Sequence, residues 1–192
     1  MGFFRKSGVF DNQYQLLVGL KGARSEERMG DKPLDGMLKV TVVQGRKLAV
    51  RDFTSSDPYV ILKLGNQTAK TKVINCSLNP LWNEEFTFNI TDHLGVLNLE
   101  VFDKDRFKSD DKMGHAYVNL QAIETSSRLR HVLQASAGET RLRKMVPSDE
   151  NCLMRESFVR CVDGEIVQDV WLKLLDVESG DLELKIRWID RT

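Results

Sequence analysis

Two aspartate-rich stretches constrain what this chain can fold into. One spans residues 51–59 and the other spans residues 103–111. Each follows a segment with the composition and alternation of a β-strand, residues 37–43 for the first and 96–102 for the second. The stretches carry five spaced carboxylates, those of Asp52, Asp57, Asp103, Asp105 and Asp111. A sandwich that brought both loops to one end would crowd these carboxylates together.

Crowded carboxylates need a compensating cation. Two unit charges about 4 Å apart repel by about 4 kcal/mol at an effective dielectric constant of about 20. A fold tolerates several such pairs only where positive charge is supplied. Carboxylate oxygens in irregular loops suit calcium, which takes about six to eight oxygen ligands in flexible geometry. The pattern therefore predicts a calcium site formed by the two loops.

Two other interpretations of the aspartates compete with this one. An EF-hand loop has Asp or Asn at its fifth position, Gly at its sixth and Glu at its twelfth. Counted from Asp103, those positions hold Phe107, Lys108 and Gly114, and a strand precedes the loop. Aspartate is also common in ordinary turns, because its side chain hydrogen-bonds to nearby backbone. Two clusters, both after strands, favour a metal over turn chemistry.

Four short motifs around these loops resemble a C2 domain. Together they cover about residues 34–122, and the spaced set is more specific than any one motif. The resemblance implies an all-β fold, an eight-stranded antiparallel C2 β-sandwich of type II topology, in which the first strand leads into the first aspartate loop. The motifs are Ser-Asp-Pro-Tyr-Val at 56–60, Leu-Asn-Pro-Leu-Trp-Asn-Glu at 78–84, Phe-Asp-Lys-Asp at 102–105 and Asp-Lys-Met-Gly at 111–114.

A later part of the chain is similar to the tail of the small plant C2-domain abscisic-acid-related proteins, which generic C2 domains lack. We expect a C2 domain over residues 34–192, with a family-specific insertion at about residues 139–170. A flexible N-terminal extension, residues 1–33, is expected before it, although its aromatic spacing also fits an amphipathic helix on a membrane. The similar pieces are residues 151–153, 163–170 and 176–184.

The expected calcium ligands are the five aspartate carboxylates, joined by the backbone carbonyls of Arg51 and Lys104. Asp111 fits the C2 pattern better than its neighbour Asp110, because it lies eight residues after Asp103. Carboxylates that wrap an ion from one side leave coordination positions open for a lipid phosphate oxygen. The loops therefore predict an electrostatic switch that docks on an anionic phospholipid membrane when calcium is bound.

Four further side chains are expected to meet the membrane. Phe53 and Phe107 lie at the predicted loop crests, where inserting a Phe contributes about 1.5–3 kcal/mol. The alternative is a ring folded back into the loop base. In C2 domains the positions of Lys70 and Lys72 belong to a cluster that binds phosphoinositide headgroups. Charged strand residues are otherwise solvent-facing or protect a sheet edge, and Ile61 replaces a lysine that is frequent in that cluster.

The resemblance also implies a biological role. The plant relatives recruit soluble abscisic-acid receptors to the plasma membrane and positively regulate abscisic-acid signalling. The expected location is peripheral at the plasma membrane, with further pools in the cytoplasm and nucleus. The insertion is a candidate partner surface, and plain extra sheet is its alternative. Related C2 domains also accompany regulators of GTPases, so stimulation of a GTPase by Arg141 or Arg143 is the second hypothesis.

Composition narrows the remaining classes. Twenty-eight basic and 28 acidic residues give a formal net charge of zero, which provides no bulk attraction for nucleic acid. Three widely spaced cysteines, an odd number, predict reduced thiols in the cytosol or nucleus. The sequence contains no G-x-S-x-G elbow and no phosphate-binding P-loop, and its histidines lie near no nucleophile motif. We therefore expect a protein that is not an enzyme.

Three local predictions complete the expected fold. Residues 158–162 and 165–174 read as a hairpin around a type I′ turn at Asp163-Gly164. Residues 182–188 alternate apolar and charged, which predicts the last strand. Residues 123–133 fit either a short helix or a loop.

Overall fold

The computed structural model describes residues 33–52, 54–133 and 138–191. Within these ranges the chain forms ten β-strands and one α-helix, α1, Gln121–Leu133. The strands are β1 (Gly36–Arg46), β2 (Pro58–Leu64), β3 (Gln67–Lys70), β4 (Leu81–Ile90), β5 (Val96–Asp103), β6 (Asp111–Asn119), β7 (Glu139–Met145), β8 (Ser157–Val162), β9 (Glu165–Lys173) and β10 (Asp181–Asp190).

The strands form two antiparallel sheets. One has six strands in the order β4-β1-β10-β9-β8-β7, and the other has four in the order β3-β2-β5-β6. The expected antiparallel sandwich is thereby confirmed. Strand β1 lies between β4 and β10 and leads directly into the first aspartate loop, which is the connection that type II topology requires.

Alternation along the strands places the core between the sheets. On β1 the side chains of Leu38, Val40 and Val42 are fully buried, and residues between them are partly exposed. On β10 the same alternation buries Leu184 and Trp188 and turns the charged residues outward. Each fully buried aliphatic side chain contributes about 1.5–3 kcal/mol, so this register is strongly determined.

The described residues hold ten strands where eight were expected, and the difference lies in the predicted insertion. Strands β7 and β8 fall within residues 139–170 and extend one sheet from four strands to six. Because Val159 and Cys161 of β8 are buried in the main hydrophobic cluster, the insertion extends the core rather than forming a surface loop. The β8–β9 turn has positive φ at Asp163 (48°) and Gly164 (84°), as the predicted type I′ turn requires.

Residues 121–133 form a helix, which settles the helix-or-loop alternative. The Asn119 side-chain oxygen accepts a hydrogen bond from the Gln121 backbone N–H at 2.9 Å and caps the first turn. Ala122 and Ile123 are buried against the sandwich. This helix is neither long nor apolar enough to cross a bilayer, and the part of the chain that is described holds no other candidate.

Two predictions fall outside the described residues. The extension, residues 1–33, is described only at Pro33, and the first crest residue, Phe53, is not described. The three cysteines are all described and are all free thiols, which confirms the prediction that they form no disulfide. Cys76 is exposed, whereas Cys152 and Cys161 are buried.

Candidate metal centre at the loop tip

Four connecting loops meet at one end of the sandwich, which we call the tip. The β1–β2 loop (47–57) and the β5–β6 loop (104–110) carry the aspartates. Because antiparallel strands alternate in direction, the β3–β4 loop (71–80) and the β9–β10 loop (174–180) reach the same end. The strand order thus converts two stretches far apart in sequence into one compact group of loops.

Three of the predicted ligands lie at the ends of three neighbouring strands. Asp57 immediately precedes β2, whose first residue, Pro58, pairs with Asp103 at the end of β5. Asp103 in turn pairs with Asp111 at the start of β6. The Asp57 backbone N–H donates to Asp103 Oδ1 at 2.5 Å, and the Lys104 N–H donates to the Asp57 carbonyl at 3.0 Å. These bonds fix the carboxylates side by side.

Asp103 lies at the centre of the acidic group. Its side chain is only 1% exposed, and its Oδ2 has no hydrogen-bond partner among the described residues. Burial raises the pKa of Asp103, the Asp57 N–H opposes this, and the charges of Asp52, Asp105 and Asp57 raise it further. The structure therefore places four predicted ligands within electrostatic range of one another and leaves one buried oxygen unsatisfied.

Lysines from the second loop compensate part of this charge. Lys108 Nζ lies 2.7 Å from Asp111 Oδ2 and 3.5 Å from Asp105 Oδ2. Lys104 Nζ lies 2.9 Å from Asp110 Oδ1. Over the described ranges, no three His, Cys, Asp or Glu side chains are already arranged around a common metal position. The ammonium of Lys108 contacts two carboxylates, those of Asp105 and Asp111, that a bound calcium ion would also contact.

Asp110 is held by internal donors. Its carboxylate accepts hydrogen bonds from the Tyr59 hydroxyl at 2.7 Å, from Lys104 at 2.9 Å and from the Asp105 N–H at 3.2 Å. The Tyr59 and Lys104 bonds lower the pKa of Asp110 to about 2, while burial and the same bond raise the pKa of Tyr59 to about 12. A carboxylate so well satisfied is a structural group of the loop.

Sequence reasoning missed an ion pair that ties the first loop to the β9–β10 loop. The Arg51 guanidinium binds both Glu178 oxygens, at 2.6 and 3.0 Å, and its Nε donates to the Lys112 carbonyl at 3.1 Å. The hydrogen bond from Arg51 lowers the pKa of Glu178 to about 2. Only a backbone role was expected for Arg51. The sequence does not show that Glu178 lies nearby, because this proximity depends on the order of the strands in the sheet.

A glycine allows the β9–β10 loop to pack at the tip. Gly114 on β6 has φ +98°, and a Cβ there would lie 2.6 Å from a Val177 methyl and 2.9 Å from the Leu175 carbonyl. Only a residue without a Cβ permits this approach. His115 and Leu175 exchange backbone hydrogen bonds at 3.1 and 2.7 Å, which joins the loop to β6.

The predicted membrane residues have distinct surroundings. Phe107 is 99% exposed at the crest of the second loop. Lys70 Nζ lies 3.6 Å from the centroid of the Tyr59 ring, which stacks on Phe102 with centroids 5.6 Å apart. Lys72 is exposed beyond the end of β3, where Thr71 turns inward and its hydroxyl accepts a hydrogen bond from the Val60 N–H at 2.9 Å. Lys70 thus adjoins an aromatic platform.

The side chains present fit a calcium ion. The deciding observation is the buried oxygen Asp103 Oδ2, which forms no hydrogen bond in the described residues, beside Asp105 Oδ2, which has only the Lys108 ammonium 3.5 Å away. Unsatisfied buried carboxylate oxygens are costly, and a hard cation is the partner that satisfies several at once.

An antiparallel two-sheet sandwich with acidic loops gathered at one end defines the C2 class of domain, and the family model of the C2 domain matches residues 36–135. Protein C2-DOMAIN ABA-RELATED 11 of Arabidopsis thaliana is 64% identical over 155 residues, 81% of this chain and 93% of that protein. The chain belongs to the C2-domain ABA-related family, as its motifs predicted.

Two further proteins place this family membership in context. GTPase activating protein 1 of Oryza sativa subsp. indica is 44% identical over 157 residues, 82% of this chain and 93% of that protein. Among solved structures, a C2 domain of plant Extended Synaptotagmin 1 superposes with a TM-score of 0.56 at 26% identity, over 83% of this chain and 98% of that one. Together with the family model, these matches support the C2 fold and a lipid-binding C2 role for this chain.

Proposed function

We propose that this protein is a non-catalytic, calcium-dependent adaptor that binds anionic phospholipid membranes through its tip. The observation that carries the proposal is the convergence of Asp57, Asp103 and Asp111 on adjacent strand ends, with the buried Asp103 Oδ2 left without a hydrogen bond among the described residues. Calcium, when bound, supplies positive charge and open coordination positions for lipid phosphate. The proposed ligands are the carboxylates of Asp52, Asp57, Asp103, Asp105 and Asp111 and the carbonyls of Arg51 and Lys104.

The crest of the second loop supplies the membrane contact. Phe107 is fully exposed in solution, and Arg106 and Lys108 flank it. Inserting the ring gains about 1.5–3 kcal/mol, and each basic residue near an anionic leaflet adds about 1 kcal/mol. Phe53 is proposed as the corresponding residue of the first loop. Phe107→Ala is expected to weaken vesicle binding and to leave calcium affinity in solution unchanged.

Vesicle sedimentation tests the calcium-dependent step. Wild-type protein should sediment with phosphatidylserine-containing vesicles in calcium and stay in the supernatant in excess chelator. The double variant Asp52→Ala, Asp57→Ala should fail to sediment under both conditions. The double variant Asp149→Ala, Glu150→Ala removes the same charge from an exposed site outside the two aspartate loops and serves as the matched control. Equal sedimentation with and without calcium would reject the proposal.

Lys70 and Lys72 are proposed to bind phosphoinositide headgroups beside the tip. The ammonium of Lys70 rests on the Tyr59 ring, and Lys72 is exposed next to it. Replacing both with Ala should weaken binding to phosphoinositide vesicles by about fivefold per lysine, since each contributes about 1 kcal/mol. Binding to phosphatidylserine vesicles in calcium should change less. An equal loss on both vesicle types would show general charge attraction rather than headgroup recognition.

We further propose that the docked protein recruits abscisic-acid receptors to the plasma membrane and positively regulates abscisic-acid signalling, with pools in the cytoplasm and nucleus. The name of the 64% identical relative supports this role. The insertion is the candidate receptor surface, because Arg143 there is exposed and has no ion pair within the described chain. Calorimetry with a purified abscisic-acid receptor should detect binding that Arg143→Ala weakens and Asp52→Ala retains. The reverse pattern would place the receptor at the tip.

A second candidate function is stimulation of a GTPase. The 44% identical rice relative is named a GTPase activating protein, and this observation alone favours it. In the insertion, the Arg141 guanidinium stacks 4.6 Å from the Phe158 ring centroid, whereas Arg143 is free to extend toward a partner. GTP hydrolysis by a purified small GTPase should rise when wild type is added and rise less with Arg143→Ala. No stimulation by wild type would leave the adaptor role alone.

A further inference from the structure

We infer that Lys108 is a built-in counter-ion of the tip. Without calcium its ammonium pairs with two of the proposed ligands, Asp105 and Asp111, and when these carboxylates bind calcium the ammonium is released and pairs with lipid phosphate. The inference rests on the proposed function, because it concerns the regulation of that same site.

The position of Lys108 is specific. Its Nζ bridges Asp105 and Asp111, with Nζ–O distances of 3.5 and 2.7 Å, one partner three residues before it and the other three residues after it. Within the described ranges it is the only Lys or Arg group within 4 Å of a proposed ligand carboxylate. It follows Phe107 directly in the chain, so it lies beside the residue proposed to enter the membrane.

The two neighbouring cations of the loop differ from Lys108. Lys104 binds Asp110, whose carboxylate is also held by Tyr59 and is not a proposed ligand. Arg106 is exposed and forms no ion pair in the described part of the chain. Lys108 is itself 58% exposed at the side chain, so its ammonium can leave without opening the fold. The loop therefore contains a matched set of three cations, of which one competes for the site.

A competing ammonium has opposite effects in two assays. In solution it must be displaced from Asp105 and Asp111, so it weakens the affinity for calcium. At a membrane its charge is released beside Phe107 and strengthens the attraction to anionic lipid. The same side chain thus raises the calcium concentration needed to fill the site in solution and strengthens binding to the membrane. Calcium binding and membrane binding are therefore coupled.

Calorimetry and vesicle binding with three variants test this coupling. Lys108→Gln should bind calcium in solution about threefold to fivefold more tightly than wild type, as expected for the loss of an exposed competing ion pair. Arg106→Gln, the matched removal of one charge, should change the calcium affinity by less than about twofold, because its charge is screened. On phosphatidylserine vesicles in saturating calcium, both variants should bind about fivefold more weakly. Lys108→Arg should restore both properties toward wild type.

The outcomes are separable. If wild type bound neither calcium nor vesicles, the proposed function would fail and this inference with it. If wild type bound both, but Lys108→Gln had unchanged calcium affinity or matched Arg106→Gln, only the counter-ion role would be overturned. A calcium-free thermal melt of each variant identifies any that is misfolded, and Lys108→Met, a second removal of the same charge, then replaces Lys108→Gln as the test.

Discussion

The tip and the outer face of the six-stranded sheet both carry many charged residues, yet their charges are compensated differently. On the outer face, the strand register brings acidic and basic side chains together, and the ion pairs join neighbouring strands or, for Arg187 and Glu85, reach across β1 from β10 to β4. The pairs are Lys39–Glu85 (2.7 Å), Arg187–Glu85 (3.2 Å), Arg187–Glu165 (3.4 Å), Arg160–Glu139 (3.4 Å) and Arg160–Asp169.

At the tip, like charges are gathered instead. Asp103 is surrounded by carboxylates, and its buried Oδ2 has no hydrogen bond within the described ranges. The only direct cation on the proposed ligands, among the residues described, is the exposed and displaceable Lys108. The sheet face thus pairs its carboxylates with cations of the protein itself, whereas the tip stores repulsion that an external cation relieves. The repulsion lowers the free energy of unfolding of the calcium-free protein, and the same carboxylates provide the proposed calcium site.

Replacing Asp103 with Asn gives the largest expected effect. Calcium at about 100 times its dissociation constant should stabilise wild type by about 2.7 kcal/mol, and this gain should largely disappear in Asp103→Asn. Without calcium the variant should melt at a higher temperature at pH 7, because the raised pKa of Asp103 shows that its ionised form is disfavoured by folding. The Asn oxygen can still accept the Asp57 N–H, so the loop geometry is kept.

Thermal unfolding with and without calcium measures both effects. The matched control is Asp169→Asn on the outer face, which loses an ion pair and should melt lower with its calcium response intact. A variant Asp103→Asn that melted below wild type without calcium would contradict the idea of stored repulsion.

Asp110 provides a smaller test within the second loop, because it is an acid that the fold fully satisfies. Its pKa is lowered to about 2, so the stability it contributes is present above its ordinary value of 3.8 and is lost as the pH falls through about 2. Asp110→Asn should therefore cost about 1–2 kcal/mol at pH 7, the lower part of the range of about 1.5–3 kcal/mol for a hydrogen bond to a charged group and somewhat below it, because the Asn oxygen still accepts one bond.

Urea unfolding from pH 7 to pH 2 measures this cost. The difference between wild type and Asp110→Asn should shrink below pH 4, where the carboxylate becomes protonated. Tyr59→Phe should reproduce part of the loss at pH 7. A constant difference across the whole pH range would mean that the Asp110 charge does not contribute.

Much of the tip could be predicted because strand alternation and antiparallel direction are visible in the sequence. The apolar spacing of Leu38, Val40 and Val42 determines the face of β1, and the loop after it must then emerge at the end where β5 terminates. That Asp57 and Asp103 are neighbours also required the resemblance to the C2 domain, because alternation does not show which strand pairs with β2. The hairpin at Asp163-Gly164 followed from the backbone conformation that its residues favour.

The remainder could not be predicted because it depends on tertiary neighbours. The Arg51–Glu178 pair spans 127 positions and requires β10 to lie beside β1. Lys108 pairs with Asp111 and Lys104 pairs with Asp110 because of the loop conformation, which the spacing of residues in the sequence does not indicate. Strand β7 was not predicted, because its charged segment resembles a loop, whereas β8 was predicted as one arm of the hairpin.

On the outer face, Arg187→Ala should cost about 0.5–1 kcal/mol, since it removes exposed pairs with Glu85 and Glu165. Lys185→Ala, on the same strand and face but without an ion pair among the described residues, should cost less. The gap between them should narrow at about 1 M salt, where the Debye length falls to about 3 Å. Vesicle binding should be unchanged in both. Weakened vesicle binding by Arg187→Ala would show that the face and the tip do not act separately.

The smallest effect on the free energy of unfolding is expected at the end of the sandwich opposite the tip. There the Glu124 carboxylate pairs with His93, whose charge depends on pH. His93 Nδ1 lies 2.6 Å from Glu124 Oε1, and this bond raises the pKa of His93 above its ordinary value of 6.5. A raised pKa means that the stability from this pair is fully present below pH 6.5 and is lost as the pH rises through the folded value.

Calcium-free melts of wild type and His93→Gln should therefore differ at pH 5 and converge at pH 8, by less than Arg187→Ala costs. In a Glu124→Gln background, His93→Gln should lose this pH dependence, because the charge that raises the pKa is gone while the amide oxygen can still accept the Leu94 N–H. A pH dependence that survived in this background would place the partner of His93 elsewhere, with Asp92 at 3.7 Å the next candidate. The His93–Glu124 pair would then not be a pH-dependent ion pair. The comparison would be left with the permanently charged pairs on the sheet face and the displaceable Lys108 pair at the tip.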